Sequence, residues 1–521
     1  MSTQLVWFKR DLRVEDHQPL YEAANRGSVI CLYIDEPIIQ EAAEFGERDG
    51  IFLEQCLSEL DTRLRDMGAG LLRVKGDALQ VLEELHAEIP FEAIWSHEET
   101  GNNATYERDQ KIASWARNSG VDWNEIAQHG IFRPLKKRDG WAGKWARRMK
   151  SPLSQTPDQL YPALIPPRWR KEPVKKALDL QVQLGGAREA HKVFNSFLDS
   201  RGENYRTDMS SPVTAWSGCS RLSPYLAYGC ISIKTVYQTT VARREQLKQW
   251  RAAGDDIGKT WLTSLASFEK RLRWHCHFMQ KFEDETEIEH RNLARVYDGM
   301  RSEEPNEERF EAWKAGRTGY PMVDACMRAL VATGWINFRM RAMLVSFASY
   351  HLWLHWRPTG LFLGRQFLDF EPGIHYSQMQ MQSGTTGINA VRIYSPTKQV
   401  RDQDPNGEFI KHWVPELSDV PRKYLAEPAQ MPAQVQTDAS CEMGIDYPEP
   451  LVQHASAVKT AKERIYACRK TPEAKEQAKQ IYLKHGSRRR PRNPRQRSRA
   501  TKSGTEKSIP VKEQVELFSN N

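Results

Sequence analysis

Two stretches of this 521-residue chain combine residue types that could hold a phosphate or carry an electron. The stretch 218–232, GCSRLSPYLAYGCIS, places Ser220 and Ser223 around a predicted helix start, where hydroxyls and backbone amides can bind a phosphate. An ordinary serine-capped helix is the alternative. The stretch 374–387, IHYSQMQMQSGTTG, is interpreted on its own as a strand whose methionines face a core. A ligand wall and a segment of an electron path are the other interpretations of the same residues.

A basic loop is the third feature that could do chemistry. Residues 136–148, KKRDGWAGKWARR, interleave Lys and Arg with Trp141 and Trp145. This alternation of cationic and aromatic side chains suits a nucleic-acid backbone, and a solvated helix face explains it equally well.

Metal and disulfide chemistry are not predicted. The eight cysteines are scattered without a C-x-x-C pair, which argues against a zinc ribbon and favours a reduced, cytoplasmic protein. His275, His277, His351 and His355 lack carboxylate partners at ligand spacing, so they are expected to be structural. The N-terminus lacks the apolar segment of a secretion signal. The longest apolar run, 342–356, suits a buried helix better than a membrane span.

The net charge of +8 is concentrated at the C-terminus. From His485 onward, ten Lys and Arg residues stand against three Glu, a charge of +7, which leaves +1 for the other 484 residues. Such a segment cannot bury enough apolar area to fold, so 485–521 is predicted to be a disordered basic tail. The length of the remaining chain predicts two or three domains.

Short apolar runs alternate with amphipathic helices at the start of the chain. The runs 5–8, 29–34, 70–74 and 91–96 are predicted strands, and the helices between them imply a parallel, doubly wound sheet. No G-x-G-x-x-G fingerprint of an ordinary dinucleotide-binding fold follows the first strand. The predicted divisions are an α/β domain (1–130), a connector with the basic loop (131–200), an all-helical domain (201–484) and the tail (485–521).

Four motifs together resemble the photolyase/cryptochrome family over most of residues 1–425. They are WFKRDLR at 7–13, SRLSPYLAYG at 220–229, the stretch 312–341 with GRTGYPMVDACMR, and the stretch 394–417 that ends in GEFIKHWVPEL. The resemblance implies a Rossmann-like antenna domain followed by a helical domain that holds a bent FAD. In that family a photoexcited, reduced flavin donates an electron to a pyrimidine photodimer, which must be flipped out of the DNA because a stacked base is out of reach.

The resemblance leads us to expect an FAD-dependent, light-driven DNA photolyase, a lyase of a divergent branch. A cryptochrome-like photoreceptor with the same flavin is the alternative, and a DNA-binding flavoprotein without light chemistry is a third. A second, antenna chromophore would be a folate, a deazaflavin or a flavin. The expected partner is DNA with UV photoproducts, and the expected state is a monomer that does not bind membranes.

The resemblance also implies which residues hold the FAD. Cys219 stands where the family usually has a threonine, and Arg341 is expected to pair with Asp369 across the flavin ring. Substituting either member of such a buried pair would leave the other charge buried without a partner. The implied cofactor-binding residues are Tyr205, Cys219, Ser220, Arg221, Leu222, Ser223, Phe268, Arg271, His275, Phe338, Arg341, Asp369, Phe370 and Glu371.

A second implied set touches the DNA. Trp274 matches the aromatic residue that stacks on the photodimer, and stacking of this kind contributes roughly 1–3 kcal/mol per base. Arg339 matches an arginine that contacts the lesion or a phosphate. Met381 replaces a second tryptophan that packs on the lesion. The implied DNA-binding residues are Trp274, Arg339, Met381, Lys136, Lys137 and Arg138.

Three positions depart from the family pattern. Arg271 falls where a repair enzyme usually has a glutamate that hydrogen-bonds the dimer, so its charge is reversed. Phe268 replaces a tryptophan near the flavin. Phe338 falls at the position of an asparagine beside flavin N5, and Asn337 would restore that contact in an alternative register. Arg271, Phe338 and the absence of the family's inner relay tryptophan weigh against repair, while Trp274, Arg339, the basic loop and the C-terminal peptide favour it.

The electron relay of the family is also altered. Trp313 matches the outermost tryptophan of the usual relay and Trp356 matches the middle one, although core packing explains both. Met379 takes the place of the innermost tryptophan. A route through Tyr376, through Trp353 or by direct hopping is left open.

The tail ends in a short peptide with its own resemblance. Gln514, Leu517 and Phe518 form a Q-x-x-L-F pattern similar to the peptide by which bacterial repair and replication proteins dock on the sliding clamp. Chance occurrence in a disordered tail is the alternative. An apolar pair at the end of a polar, basic linker favours a binding role.

Overall fold

An α/β domain opens the computed structural model. Its strands are β1 (Ser2–Phe8), β2 (Gly27–Asp35), β3 (Leu71–Lys75), β4 (Ala93–His97) and β5 (Asp122–Ile126). All pair in parallel in the order β3-β2-β1-β4-β5, so the sheet grows outward from β1 in both directions. The predicted doubly wound sheet is confirmed. The structure describes residues 2–135, 138–169 and 182–486.

Strand β1 shows why the sheet is buried on both faces. Leu5 and Trp7 enter one hydrophobic cluster while Val6 and Phe8 enter another, because successive side chains of a strand point to opposite faces. All four are at most 1% exposed. Helices cover both faces, as a parallel sheet requires.

Strand β5 is absent from the sequence prediction. Of its residues, DWNEI, two are exposed and three are half-buried, and among the described strands it pairs with β4 alone. An edge strand with charged side chains carries no apolar run, so a search for such runs does not find it.

The helices near the sheet and the connector are α1 (Gln18–Ala24), α2 (Pro37–Gln40), α3 (Glu47–Asp66), α4 (Ala78–Glu88), α5 (Asn103–Ser119), α6 (Trp141–Lys150) and α7 (Ala187–Ser196). The following helices are α8 (Tyr205–Asp208), α9 (Ala215–Gly218), α10 (Ser223–Ala227), α11 (Ile233–Ala253), α12 (Trp261–Glu283), α13 (Glu307–Lys314), α14 (Pro321–Thr333) and α15 (Phe338–Ser346). The last are α16 (Trp356–Gln366), α17 (Pro372–Ser383), α18 (Pro396–Gln403), α19 (Glu408–Trp413), α20 (Ala433–Asp438), α21 (His454–Arg469) and α22 (Pro472–His485).

Two hydrophobic cores meet along helix α12. The core under the sheet continues into the helical part through Phe194, Phe197 and Leu272. A second core begins at Phe282, near the end of α12, and includes Tyr376 of α17. Because α12 belongs to both cores, its side chains lie where the α/β and helical parts join.

The interpretation of 374–387 as a strand is wrong, because most of this stretch is helix α17. Pro372 lies in the first turn and Gly384 ends the helix with φ +81°, both favourable positions. Gln380 is fully buried and satisfied: its Oε1 accepts from the Leu293 amide, and its Nε2 donates to backbone carbonyls. A helix buried on several sides has no amphipathic period, so alternation of Gln and Met imitates a strand.

The prediction of a buried helix for the apolar run 342–356 is confirmed as far as His351, whereas residues 352–355 are not helical and Trp353 is half-buried. Helix α15 leads into a π-helical turn, Phe347–His351, and these five residues are all buried. Among the residues that the structure describes, no helix combines the length and apolar character needed to cross a membrane.

Candidate active site

The loop between α9 and α10 carries several of the implied cofactor residues. The Arg201 guanidinium donates from Nη1 to the carbonyl oxygens of Ser217 (2.8 Å) and Cys219 (2.6 Å). Arg221 has φ +59°, a left-handed conformation that is unusual for a residue with a side chain. The loop is therefore held in a strained form that functional sites often contain.

Three arginines lie in or beside this loop without a salt-bridge partner among the described residues. Arg201, Arg221 and Arg271 all act electrostatically on the Cys219 thiol, and Asp208 opposes them. None of the three forms a salt bridge with a carboxylate anywhere in the described part of the chain. Burial lowers the pKa of Arg201, and it lowers the pKa of Arg221 to about 10. The site has an excess of positive charge that an anionic group would neutralise.

Arg221 packs against two indole rings, Trp216 and Trp335, whose own centroids are 5.2 Å apart in an edge-on contact. Its guanidinium carbon lies 4.4 Å from the ring centroid of Trp216 and 4.0 Å from that of Trp335. One nitrogen, Nη2, donates to Oε1 of Gln183 at 3.1 Å. Its buried Nε has no hydrogen-bond partner among the described residues. Stacking on aromatic faces stabilises the cation and leaves its edge for a ligand.

Arg341 and Asp369 form the expected pair. The two bonds run from Nη1 to Oδ1 (2.8 Å) and from Nη2 to Oδ2 (2.9 Å), a bidentate geometry. Burial would raise the pKa of the Asp369 carboxyl, but Arg341 and the Ser223 hydroxyl together lower it. This pair joins α10, α15 and the segment before α17.

Phe338 and its neighbour Asn337 differ sharply in burial. The Phe338 side chain is 41% exposed, whereas Asn337 is 3% exposed and occupies the interior. The Asn337 amide nitrogen donates to the carbonyls of Met209 (3.1 Å) and Ser210 (2.9 Å). Its buried Oδ1 lacks a partner within the described residues, so an acceptor is directed at an unfilled contact. The buried Asn337 therefore fits the alternative register, in which Asn337 contacts flavin N5, and that contact stays a prediction.

Tyr205, Phe268 and Leu222 form an apolar wall beside the arginines. The ring centroids of Tyr205 and Phe268 are 5.7 Å apart, and Phe197 lies 5.6 Å from the first and 4.9 Å from the second. Leu222 is 1% exposed. Ser220 and Ser223 are half-buried, and the Ser220 hydroxyl accepts a hydrogen bond from the Leu222 amide at 3.4 Å.

A buried ion pair joins His275 of α12 to Glu371. The distance from His275 Nε2 to Glu371 Oε2 is 2.8 Å. Burial opposes the charged imidazole, but Glu371 overrides it and raises the pKa of His275 to about 10. Next to it, burial and the His275 charge hold the pKa of His129 well below its usual range. His275 is therefore a cation at neutral pH, and His129 is neutral. Phe370, the neighbour of Glu371, is half-buried.

Helix α12 presents one face to this site and another to solvent. Phe268, Arg271 and His275 share a face because they are three and four residues apart. Trp274 lies beside that face, half-buried, with its ring 5.3 Å from His277 and 5.5 Å from Phe278. The helix thus connects the arginine-rich site with a partly open aromatic surface.

The other implied DNA contacts are less uniform. Arg339 is half-buried, with Nη2 3.4 Å from the Ser210 hydroxyl, and Met381 of α17 is half-buried too. Arg138, in contrast, is 8% exposed and donates to the Nδ1 (2.8 Å) and carbonyl (3.0 Å) of His277. This corrects the expectation that Arg138 offers its guanidinium to a nucleic-acid backbone. Implied contacts that lie outside the described residues are Lys136, Lys137, Gln514, Leu517 and Phe518.

Trp141 and Trp145 of the basic loop are core residues. Both are buried, at 5% and 4% exposure, on the inner face of α6, while Lys144 and Arg147 point outward. The interleaved pattern is therefore that of an amphipathic helix, which was the alternative interpretation.

The expected relay residues are deeply buried. Trp313 and Trp356 are 0% exposed, and Trp356 donates from Nε1 to Oδ1 of Asn292 at 2.8 Å. Met379 is 2% exposed, and a Cβ on Gly360 would lie 3.3 Å from its Cγ. Glycine at this position lets α16 and α17 approach closely.

Two features of the site carry no signal in the sequence. Arg201 donates a hydrogen bond to the carbonyl of Cys219, eighteen residues further along the chain. The sequence around Arg201 looks like that of an ordinary surface helix. The Tyr376 hydroxyl donates a hydrogen bond to the carboxylate of Glu44, which lies 332 residues earlier in the chain. Local patterns cannot reveal pairs of this separation, because only the tertiary fold brings the residues together.

A crevice lies at the carboxyl ends of the strands, between the α/β and helical parts. Its lining includes Arg10, Glu44, Phe45, Tyr228 and Phe370. Ligands of open α/β sheets bind at such crevices. The cavity measures about 40 Å³, well below the usual volume of a ligand pocket, so a pterin or flavin ring would require the lining to open.

Two family models match the chain. Residues 4–144 match a model described as DNA photolyase, and residues 268–467 match the FAD binding domain of DNA photolyase. The two matches together cover more than half of the sequence. The chain belongs to the photolyase/cryptochrome family.

Relatives of this family member have different functional names. Cryptochrome DASH of Gloeobacter violaceus is 27% identical over 506 residues, with 89% of this chain and 96% of the relative covered. A deoxyribodipyrimidine photo-lyase of Agrobacterium fabrum is 28% identical over 499 residues, with coverage of 90% and 98%. The crystal structure of a class III photolyase from Agrobacterium tumefaciens superposes with a TM-score of 0.79 at 25% identity, over 90% of this chain and 98% of that one.

The residues of this family member fit an FAD. The arginines around Cys219 offer charge for a diphosphate, the unfilled Oδ1 of Asn337 offers an acceptor, and the wall of Tyr205 and Leu222 offers apolar surface. A dinucleotide needs all three kinds of group: cations for its phosphates, polar partners for its ring atoms and apolar surface for its rings.

Proposed function

We propose that this protein is an FAD-dependent, light-driven DNA photolyase that splits a pyrimidine photodimer flipped out of DNA. The unneutralised arginines around Cys219 carry the proposal, because the FAD diphosphate would supply the missing negative charge. Membership of the family and the name of the Agrobacterium fabrum relative support it.

The chain's own residues would hold the FAD at its two ends. When bound, the FAD supplies an electron under light and takes it back after the dimer has split. Arg341 and Asp369 hold the ring end, while Arg201, Arg221 and Arg271 hold the phosphate end.

On the neighbouring face, Trp274 stacks on the flipped dimer and excludes water from it. His275 keeps a proton on Nε2 that is directed at Glu371, so a cation stands beside the reacting groups at neutral pH.

The decisive experiment records the flavin spectrum of the purified protein and then illuminates it with lesion-bearing DNA. Oligonucleotides with cyclobutane or (6-4) photoproducts, single- and double-stranded, identify the substrate. We expect light-dependent loss of one lesion type. Chemically reduced flavin without loss of either lesion would refute repair.

A matched pair of variants locates the lesion site. Trp274→Ala should weaken binding of the lesion by about 1–3 kcal/mol, roughly 5- to 150-fold in Kd. Trp250→Ala is the control, because Trp250 is 38% exposed and stacks on Arg243 of its own helix. Equal affinities of the two variants would remove Trp274 from the DNA site.

A photoreceptor is the second candidate function. Arg271 favours it, because a guanidinium stands where a repair enzyme usually has a glutamate for the dimer. The relative named Cryptochrome DASH keeps this candidate open. Light-dependent binding of a protein partner, without loss of any lesion, would establish it.

The C-terminal peptide is proposed to tether the protein to the sliding clamp. Gln514, Leu517 and Phe518 support this through the Q-x-x-L-F pattern, and the preceding arginines add sequence-independent phosphate contacts. Leu517→Ala with Phe518→Ala should abolish binding to purified clamp. Unchanged binding would rule the tether out.

A further inference from the structure

Tyr376 is a buried phenol whose hydroxyl meets a carboxylate from the other half of the molecule. The side chain is 0% exposed, and its hydroxyl donates to Oε1 of Glu44, which is 7% exposed. Glu44 lies between α2 and α3 of the α/β domain, whereas Tyr376 belongs to α17. A buried tyrosine bonded to a carboxylate has a base in place to receive its proton.

The surroundings of Glu44 favour it as a proton acceptor. Burial raises the pKa of its carboxyl, Glu289 adds to the effect, and Arg357 opposes it. A raised pKa makes the carboxylate a stronger base. Glu44 also lines the crevice of about 40 Å³, which is large enough for water and offers the proton a way out.

The ring of Tyr376 contacts aromatic residues on two sides. Its centroid lies 6.3 Å from that of Trp356 and 6.2 Å from that of Phe370, which precedes Glu371. The phenol therefore lies between the expected middle tryptophan of the relay and the segment expected at the flavin.

The two other routes fit less well. Met379 has no aromatic system to carry an oxidised state. The Trp353 ring lies between two guanidiniums, Arg301 at 4.5 Å and Arg464 at 4.8 Å, and a positive hole there would be repelled by both.

We propose that Tyr376 is the residue that donates an electron to the light-excited, oxidised flavin, with Glu44 as its proton acceptor. This inference rests on the proposed function. One electron leaves the phenol for the flavin, the O–H bond breaks, and the proton forms a carboxylic acid on Glu44. A thiol reductant in solution then returns one electron to the tyrosyl oxygen, and Glu44 returns the proton.

Three variants of the purified, flavin-loaded protein test the pair. Tyr376→Phe keeps the ring and removes the proton, while Glu44→Gln keeps the shape and removes the base. Tyr350→Phe is the matched control, since Tyr350 is a buried phenol (1% exposed) that packs against Arg301. Under light with thiol present, flavin reduction should slow by about 100-fold in the first two variants, the lower end of what a positioned base contributes, and stay unchanged in the control.

A spectroscopic readout identifies the radical independently of repair. Illumination of the wild-type protein in the cold should trap a neutral tyrosyl radical, which electron paramagnetic resonance detects and which ring-deuterated tyrosine narrows. The radical should be absent from Tyr376→Phe. In wild type its formation should slow in heavy water, and Glu44→Gln should remove that isotope effect.

The outcomes separate this inference from the function on which it rests. A purified protein without flavin overturns both. Bound flavin that is photoreduced at the wild-type rate in Tyr376→Phe, with a tryptophan radical instead, overturns the relay alone. Repair by chemically reduced Tyr376→Phe at the wild-type rate confirms that the residue serves reduction and not splitting.

Discussion

Arginines have opposite kinds of partner in the α/β domain and in the candidate site. Arg108 is 6% exposed and bonds Glu36 and Glu99 at 2.6 Å each, with Asp109 at 2.8 Å. Although burial opposes its charge, these carboxylates raise the pKa of Arg108. Arg221 of the site has indole rings and a side-chain amide as partners, and burial lowers its pKa to about 10.

The difference separates structural charge from functional charge. Arg108 is neutralised within the protein, so nothing else is needed to stabilise it. The arginines around Cys219 are half-buried and lack a carboxylate in salt-bridge contact, and a bound anion would supply that partner. An uncompensated cluster is therefore a stronger indication of a binding site than the number of arginines.

Removing Arg108 should have the largest effect on stability. Arg108→Met leaves the Glu36 and Glu99 carboxylates buried without a cation, and we expect a loss of about 3–5 kcal/mol in the free energy of unfolding. Urea denaturation measures it. The control Arg65→Met removes an exposed pair, since the Arg65 side chain is 69% exposed, and should cost at most about 1 kcal/mol. A small effect of Arg108→Met would contradict the structural role.

Removing Arg221 should affect the cofactor and spare the fold. Arg221→Met removes a half-buried cation whose charged form burial disfavours, so the stability of the flavin-free protein should stay the same or rise. Affinity for FAD should fall by about 1.5–3 kcal/mol, the contribution of a hydrogen bond to a charged group. Flavin retained after dialysis and urea denaturation of the flavin-free protein provide the two measurements. A variant that unfolds more easily yet keeps its flavin would make Arg221 structural, like Arg108.

The same contrast shows what the sequence could predict. The parallel sheet follows from alternating strands and helices, and the Arg341–Asp369 pair follows from the family resemblance. The edge strand β5 is missed because its charged residues leave no apolar run to find. The residues of α17 are mispredicted as a strand because a helix buried on several sides shows no helical period of apolar residues. Whether an arginine is compensated depends on residues far apart in the chain, as Glu36 and Arg108 are, so no local pattern reports it.

Two histidines, one in each region, show the same contrast. Their substitution should have the smallest effect on the free energy of unfolding, counted per pH unit. His97 of the α/β domain is buried with Asp11 and His17, and burial, with help from His17, lowers its pKa to about 3. His275 of the site has a pKa raised to about 10 by Glu371 against the effect of burial.

The signs are opposite, because a lowered pKa disfavours the protonated form in the folded state and a raised pKa favours it. The stability due to neutral His97 is present above pH 6.5 and is lost as the pH falls toward 3. The stability due to charged His275 is present below pH 6.5 and is lost as the pH rises toward 10. Each slope is at most about 1.4 kcal/mol per pH unit.

Urea denaturation from pH 4 to pH 10 measures the free energy of unfolding as a function of pH. We expect His275→Gln to flatten the alkaline side of this curve and His97→Gln to flatten its acidic side. The control His290→Gln, whose side chain is 46% exposed, should change neither side. An alkaline slope that persists in His275→Gln would place the titrating cation elsewhere and leave the site without its charged histidine.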